Sequence, residues 1–365
     1  MKFSAGREAL LKPLQAVIGV VERRQTMPIL ANVLLVARGD QLAITATDLE
    51  VELVASAEVS VEAGGEVTVP GRKLLDICRA LPDGAEVAIA QSGDKVSIKS
   101  GRSKFTLATL PAAEFPTVED INAGQRIELP QGSLARLIEK THFSMAQQDV
   151  RYYLNGLLIE TASKHIRAVA TDGHRLALCQ VELDGGKMPE KQVIVPRKGV
   201  LELQRLMSGE GKLGLELGSN HIRIQLEGIR FTSKLIDGRF PEYERVIPKD
   251  TANELTADRQ VLRGALQRTA ILSNEKYRGI RLVLRSGSML LQAHNPEQEE
   301  AEEEVEIQYE GSDIEIGFNV NYLLDALGAI ESDEVTLSVV DANSSCLLRE
   351  PGNDNGKYVV MPMRL

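Results

Sequence analysis

One unit recurs three times along this chain, so any fold for it has to house the same unit in triplicate. Val69-Pro70-Gly71-Arg72-Lys73-Leu74-Leu75-Asp76-Ile77 returns in looser form as Val195-Pro196-Arg197-Lys198-Gly199-Val200-Leu201-Glu202-Leu203, 126 residues later. A third copy, Phe318-Asn319-Val320-Asn321-Tyr322-Leu323-Leu324-Asp325, sets its Leu-Leu-Asp 249 residues after Leu74-Leu75-Asp76, close to twice that offset. Ala46-Thr47-Asp48 matches Ala170-Thr171-Asp172 at an offset of 124, and more faintly Ala293-His294-Asn295. Phe105-Thr106-Leu107 with Phe115-Pro116 resembles Phe231-Thr232-Ser233 with Phe240-Pro241. Polar stretches at 117–126 and 246–256 mark the joints, giving domains 1–125, 126–252 and 253–365.

Each copy reads alike. An amphipathic helix opens it: Leu10, Leu11, Leu14 and Val17 share one helical face in the first, and segments 133–143 and 258–272 repeat the pattern. Alternating or β-branched strands follow, such as 32–36, 41–47 and 51–59. A second helix comes after the Val-Pro signal, where Pro suits a helix start. Two helices against antiparallel strands make an α+β unit. Trp is absent and aromatics are only 4%, so Leu, Val, Ile and Ala have to fill the cores.

The segment 10–21 is interrupted by Lys12 and Pro13 and does not read as an export signal. No stretch approaches the roughly 20 apolar residues of a membrane span. Cys78, Cys179 and Cys346 are odd in number and lack a CxxC pair, as expected of buried free thiols in a reducing cytoplasm.

The formal charge of −10 argues against a nucleic-acid partner until it is mapped. Helical segments 7–24, 71–81, 133–142, 197–207, 258–272 and 319–330 hold fifteen basic and seven acidic residues, a net of +8 that leaves −18 for the rest. Helices sharing one face would then offer a positive surface on a negative body, suited to phosphates. The segment 319–330 lacks any Lys or Arg and stands outside this pattern.

Catalytic chemistry finds little support. Thr171-Asp172-Gly173-His174 has an Asp-Gly turn but no matching nucleophile or second carboxylate in a recognisable motif. The Gly-Lys pairs at 186, 211 and 356 lack the Ser/Thr and upstream Gly of a phosphate loop. The five histidines are scattered without ligand spacing, so no metal and no cofactor is expected.

Several longer motifs carry a resemblance over the whole chain. They are Met27-Pro28-Ile29-Leu30, Thr47-Asp48-Leu49-Glu50, Arg151-Tyr152-Tyr153-Leu154-Asn155-Gly156 and Thr171-Asp172-Gly173-His174-Arg175-Leu176. Ser273-Asn274-Glu275-Lys276, Asn295-Pro296-Glu297-Gln298-Glu299-Glu300 and Val360-Met361-Pro362-Met363-Arg364-Leu365 continue the series. In these the chain resembles the processivity clamps of bacterial replicative DNA polymerase, the beta subunit family.

The resemblance implies a non-catalytic, cytoplasmic protein that closes as a head-to-tail homodimer into a ring, encircles duplex DNA without reading sequence, and leaves ATP to a separate loader. A peptide-binding scaffold that never encircles DNA is the alternative. The resemblance puts Arg24, Gln148, Tyr152 and Tyr153 on DNA. It puts Leu154, Thr171, Gly173, His174, Arg175, Leu176, Pro241, Arg245, Val246, Tyr277, Asn319, Tyr322 and Ser345 in a peptide-binding cleft completed by the tail Val359, Val360, Met361, Pro362, Met363, Arg364 and Leu365. Met361 and Met363 suit a site that adapts to several partners. Those partners would be the polymerase alpha subunit, the clamp-loader delta subunit, and other polymerases and repair proteins. At Asn343 the family usually has an apolar residue. The dimer joint would set Glu297, Glu299, Glu300 and Glu303 against Lys73, Arg102 and Lys104, with Ile271 and Leu272 meeting Phe105 and Leu107.

Overall fold

A computed structural model describes residues 1–21, 27–118, 121, 126–183, 188–249 and 253–364. Six α-helices occur among them: α1 Arg7–Val17, α2 Gly71–Ala80, α3 Gln131–Glu139, α4 Arg197–Leu206, α5 Arg259–Thr269 and α6 Val320–Ala329. Each repeat therefore holds two helices, and every strand pair described is antiparallel or an antiparallel bridge.

The helices form for local reasons. Leu10, Leu14 and Val17 of α1 are buried at i, i+4, i+7 spacing, and Gly71, Leu74, Leu75 and Cys78 of α2 are buried at i, i+3, i+4, i+7. The Asp258 carboxylate accepts the Val261 N–H at 2.9 Å and so caps α5, while the Asn319 side chain caps α6 through Asn321 N–H. Pro70 and Pro196 lie one step earlier than a helix-starting Pro would. Each is the last residue of a strand, Gly65–Pro70 or Lys191–Pro196, and Pro70 has extended N-cap angles (φ −56°, ψ 109°). Gly71 then begins α2 because a Cβ there would come within 2.8 Å of Val33 Cγ1.

Strand pairing divides the chain differently from the repeats. One compact unit comprises Met1–Gly132 with Lys198–Leu235, and the other comprises Ser133–Arg197 with Ile236–Leu365. The first contains a five-stranded sheet and an eight-stranded sheet; the second contains another eight-stranded sheet and a four-stranded one. The central repeat is shared out because its strand Ile229–Lys234 pairs with Val51–Glu58 of the first repeat, whereas its strand Arg175–Glu182 pairs with Asn353–Val360 of the third.

The second unit's largest core runs from Leu255 through Leu262, Leu266, Leu291 and Phe318 to Leu348. In the first unit Phe3, Leu10, Leu14, Leu35, Ile44 and Leu53 are essentially inaccessible. Truncating one such Leu to Ala costs about 2–5 kcal/mol. All three cysteines are buried and free, and burial pushes Cys78 and Cys179 up to about 11 and Cys346 up to about 12.

The helix cations are partly engaged within the chain. Arg72 donates to Val21 O (2.5 Å) and Arg259 to Ser332 O (2.7 Å), contacts that leave the positive charge uncancelled. Arg136 and Lys140 instead share Glu331, and Arg268 pairs with Glu303, so those charges are largely offset.

Candidate peptide cleft

The loop Thr171–Arg175 is built by its own side chains. Thr171 Oγ1 donates to Arg175 O (2.6 Å) and accepts Gly173 N–H (3.1 Å). Asp172 Oδ1 accepts the N–H groups of His174 (2.9 Å) and Arg175 (3.1 Å). Gly173 at φ +88° makes the turn without the steric cost a side chain would add. The loop presents backbone and Gly173 to solvent and directs Arg175 inward.

Arg175 ties this wall together. Its guanidinium bonds Asp172 (3.1 Å), Asp325 (2.5 Å) and Phe143 O (2.6 Å). It also lies 4.5 Å from the Tyr322 ring centroid, within cation–π range. The tail is held by main-chain bonds from Met361 N–H to His174 O (2.9 Å) and from Met363 N–H to Gly317 O (2.8 Å).

Two recesses result. A cavity of about 210 Å³ gathers nine of the expected cleft residues: Leu154, Thr171, Gly173, Arg175, Leu176, Pro241, Val246, Val359 and Met361. Val246 and Met361 are exposed large apolar residues there, at 47% and 41%. A second, more polar recess of about 310 Å³ holds His174, Arg175 and Tyr322 together with Phe143, Asp149 and Arg197. An apolar hole beside a polar one can take a bulky apolar side chain and hold the backbone next to it.

Other expected residues lie elsewhere. Arg245 faces a larger neighbouring cavity. Asn319 Nδ2 donates to Tyr277 O (3.3 Å), so these two residues accompany each other outside both recesses. Val360 is buried in the core, opposite in sense to Val359, as strand alternation requires. Ser345, Pro362, Met363 and Arg364 line neither recess, and Leu365 lies outside the described residues. Asn343 is exposed and its N–H turns back to the Asp341 carboxylate (2.8 Å).

Sequence reasoning missed Arg151, Glu242 and Tyr243 as cavity walls. Arg151 is latched to Asp149 (2.9 Å and 3.0 Å) and leans over Gly173, where a Cβ would meet its guanidinium at 2.9 Å. Those bonds hold the Asp149 carboxyl down at about 2. Tyr243 is buried and its hydroxyl engages Arg167 (2.7 Å); desolvation raises its phenol and Arg167 opposes that rise.

Of the DNA-contact candidates, Arg24 lies outside the described residues. Gln148 has φ +55° on an exposed loop whose Val150 is 95% exposed. Tyr152 is 57% exposed, but Tyr153 packs on the Phe240 cluster and lines the apolar cavity. Of the joint candidates, Lys73, Arg102, Lys104, Glu297, Glu299 and Glu300 are exposed. Ile271 is 73% exposed and Leu272 half-buried, while Phe105 is half-buried and Leu107 already buried in its own unit. Glu303 is committed to Arg268 of α5.

Comparison with known proteins agrees with this architecture. The DNA polymerase III beta subunit profiles match in order: N-terminal domain over 1–119, central domain over 128–242 and C-terminal domain over 244–364. A beta sliding clamp of Pseudomonas putida is 58% identical, with all of both chains covered. The crystal structure of the DNA polymerase III subunit beta from Pseudomonas aeruginosa superposes with a TM-score of 0.98 at 55% identity, again over both whole chains. A sliding clamp of the same organism crystallised with griselimycin gives 0.96 at 56% identity over both whole chains. The chain therefore belongs to the DNA polymerase III beta subunit family, the beta sliding clamps, whose members are non-catalytic processivity factors.

Proposed function

We propose that two copies of this chain close head to tail around duplex DNA and tether partner proteins through the cleft on the second unit. The observation that carries the ring is a pair of unlike sheet edges. Ser103–Ala108 is an edge strand of the five-stranded sheet and bears Lys104, with Arg102 just before it. Glu300–Glu306 is an edge strand of the four-stranded sheet and exposes Glu300, Glu302, Glu304 and Glu306. Unpaired edges invite pairing with another chain, and opposite charge selects head-to-tail joining over like-with-like. Ile271 and Phe105 supply apolar contact beside the charges; Lys73, Glu297 and Glu299 flank it. Leu107 and Glu303 support the joint from within their own units.

The functional domains are 1–125, 126–252 and 253–365. The surplus positive charge of the helices meets phosphates, which carry no sequence information, so the ring slides. Gln148, Tyr152 and Arg24 add DNA contacts. The apolar cavity takes short peptides from the polymerase alpha subunit, the loader delta subunit and other polymerases or repair proteins. The protein works in the cytoplasm with neither metal nor cofactor of its own.

Topology tests this reading. Loaded protein should stay on nicked circular DNA through gel filtration in salt that disrupts phosphate contacts, and leave after one restriction cut. Equal retention on circular and linear DNA, with both lost together as salt rises, would leave a peptide scaffold that does not encircle DNA.

A further inference from the structure

A cavity of about 910 Å³ lies beside the apolar one, and Pro241, Glu242 and Tyr243 line both. A polar stripe runs across four neighbouring strands, Gln192, Glu160, Arg167 and Gln180, each opposite the next in register, and its first three residues line this cavity. Arg167 donates to Glu160 (3.2 Å), to Gln180 Oε1 (2.8 Å) and to the Tyr243 hydroxyl (2.7 Å). Gln192 Nε2 donates to the other Glu160 oxygen (2.6 Å). Arg167 and Glu160 side chains are only 19% and 16% exposed.

The fold does not require this stripe. The same register positions in the first repeat are Glu66, Val36, Ala43 and Ser56, and in the third they are Glu315, Val283, Leu290 and Glu304. In both, the central pair is aliphatic. A half-buried ion pair contributes little net stability over an apolar pair, so stability alone does not account for Arg167 and Glu160 in the middle copy. What the network does is fix Tyr243, the wall between the two cavities.

The rim of the large cavity is cationic. Arg239 and Arg245 side chains are 86% and 80% exposed and both lean on the single carboxylate of Glu242; Lys249 stands nearby on the same rim. Of the other lining carboxylates, Glu160 and Glu244 are directed to Arg167, while Glu190 lies beside Lys191 in the chain, far in sequence from Arg239 and Lys249; the lining still holds five Lys and Arg against four carboxylates. In a chain of net charge −10, an exposed cationic rim continuous with an apolar cavity is a distinctive surface.

We propose that this cavity is a polar annex of the peptide cleft, taking acidic side chains that flank the apolar anchor of a partner peptide on one side only. The inference rests on the peptide-cleft reading above. Tyr243 would seat the anchor on one face, while Arg239 and Lys249 meet the carboxylates that follow.

Peptides tiling the polymerase alpha subunit identify the tightest binder by fluorescence anisotropy. That peptide is then remade with Asp-Asp or Ser-Ser at either end. The acidic flank at one end should tighten binding about fivefold at low salt, as two solvent-exposed ion pairs allow. The Arg239→Ser/Lys249→Ser variant should lose that preference yet bind the Ser-flanked peptide unchanged. Equal affinities for acidic and Ser flanks, the same gain at both ends, or a preference that survives in the variant would overturn the annex. If no alpha-subunit peptide binds the unaltered protein, the cleft reading itself has failed.

Discussion

The loops Thr47–Val51 and Thr171–Arg175 occupy the same place in successive repeats and have nearly the same backbone. Thr47 Oγ1 donates to Val51 O (2.9 Å) and accepts Leu49 N–H (3.1 Å), as Thr171 does with Arg175 O and Gly173 N–H. Asp48 Oδ1 accepts Glu50 N–H (2.9 Å) and Val51 N–H (2.7 Å), as Asp172 does with His174 and Arg175. The turn residues share a positive φ, +78° at Leu49 and +88° at Gly173. Even the strand beside each loop ends alike: Lys234 N–H bonds Glu50 O (2.8 Å), and Met361 N–H bonds His174 O (2.9 Å). The side chains then part company. Val51 is fully buried where Arg175 reaches Asp325 and Tyr322, and Asp48 is bound by Lys198 where Asp172 is bound by Arg175. One backbone thus serves as a closed joint in the first unit and as a cleft wall in the second. Three side-chain positions on a shared turn, Leu49/Gly173, Glu50/His174 and Val51/Arg175, set the difference.

The sharpest way to break this contrast is at Arg175. Arg175→Ala strands two carboxylates and the Phe143 carbonyl, and should cost on the order of 3 kcal/mol in stability. Peptide affinity should fall at least about tenfold, since the cavity loses a wall. Val51→Ala should lower the thermal midpoint while leaving peptide affinity unchanged. Anisotropy titration beside calorimetry reads both. Full peptide affinity in Arg175→Ala would mean the loop is no more a wall in the second unit than in the first.

Next are the two aspartates. Asp48→Asn keeps an oxygen for the Glu50 and Val51 N–H groups but gives up the Lys198 ion pair. The expected loss is about 1–3 kcal/mol of stability with no change in peptide binding. Asp172→Asn should lose a similar amount and also weaken the peptide, because Arg175 gives up one of its two ion pairs and keeps only Asp325, Phe143 O and the Tyr322 ring. Identical peptide effects from the two substitutions would remove the distinction between joint and wall.

A smaller effect separates the turn residues. Gly173→Ala puts a side chain at φ +88° and its Cβ against the Arg151 guanidinium, so it should cost about 1 kcal/mol and displace Arg151. Leu49→Gly relieves a left-handed leucine at the price of backbone entropy, and should change stability by no more than about 1 kcal/mol, in the favourable direction. Thermal midpoints of the two variants moving in the same direction would show that the loops are not equivalent after all.

The triplication, the helix pairs and most of the apolar cavity were legible in the sequence, because they rest on local pattern and on motifs that carry the family resemblance. What was not legible depends on register between distant strands. The split of the central repeat arises from Ile229–Lys234 and Arg175–Glu182 pairing in opposite directions along the chain, which no local periodicity encodes. Arg151 becomes a cavity wall only because Gly173, 22 residues on, has no side chain to exclude it. Tyr243 carries no motif of its own; its place as a wall depends on Arg167, on a strand 76 residues away, donating to its hydroxyl. Leu107 and Val360 are buried in their own units, a matter of which strand face is covered that alternation alone does not fix.

The smallest expected effect concerns Asp149 and Arg151, which the first repeat replaces with Gln25 and Met27. Arg151 lowers the Asp149 carboxyl from its ordinary 3.8 to about 2, first through its side-chain hydrogen bond and then through its backbone N–H. A carboxyl depressed on folding favours the folded loop at all pH values above its ordinary range. That contribution declines as pH falls from about 5 and is gone once pH is below the depressed value, whereas in the folded loop the carboxylate itself stays ionised from pH 4 upward. Peptide affinity should therefore show no acid limb from Asp149 in that window, and any slope between pH 5 and 7 belongs to another group. Carboxyl carbon NMR between pH 3 and 5 should find Asp149 almost wholly ionised in the unaltered protein. In Arg151→Ala the side-chain bond is gone, and a clear upward drift of the midpoint should appear within the same window. A midpoint that does not move would show that the carboxylate is held by the loop backbone alone. Arg151 would then be as incidental to the second unit's turn as Met27 is to the first.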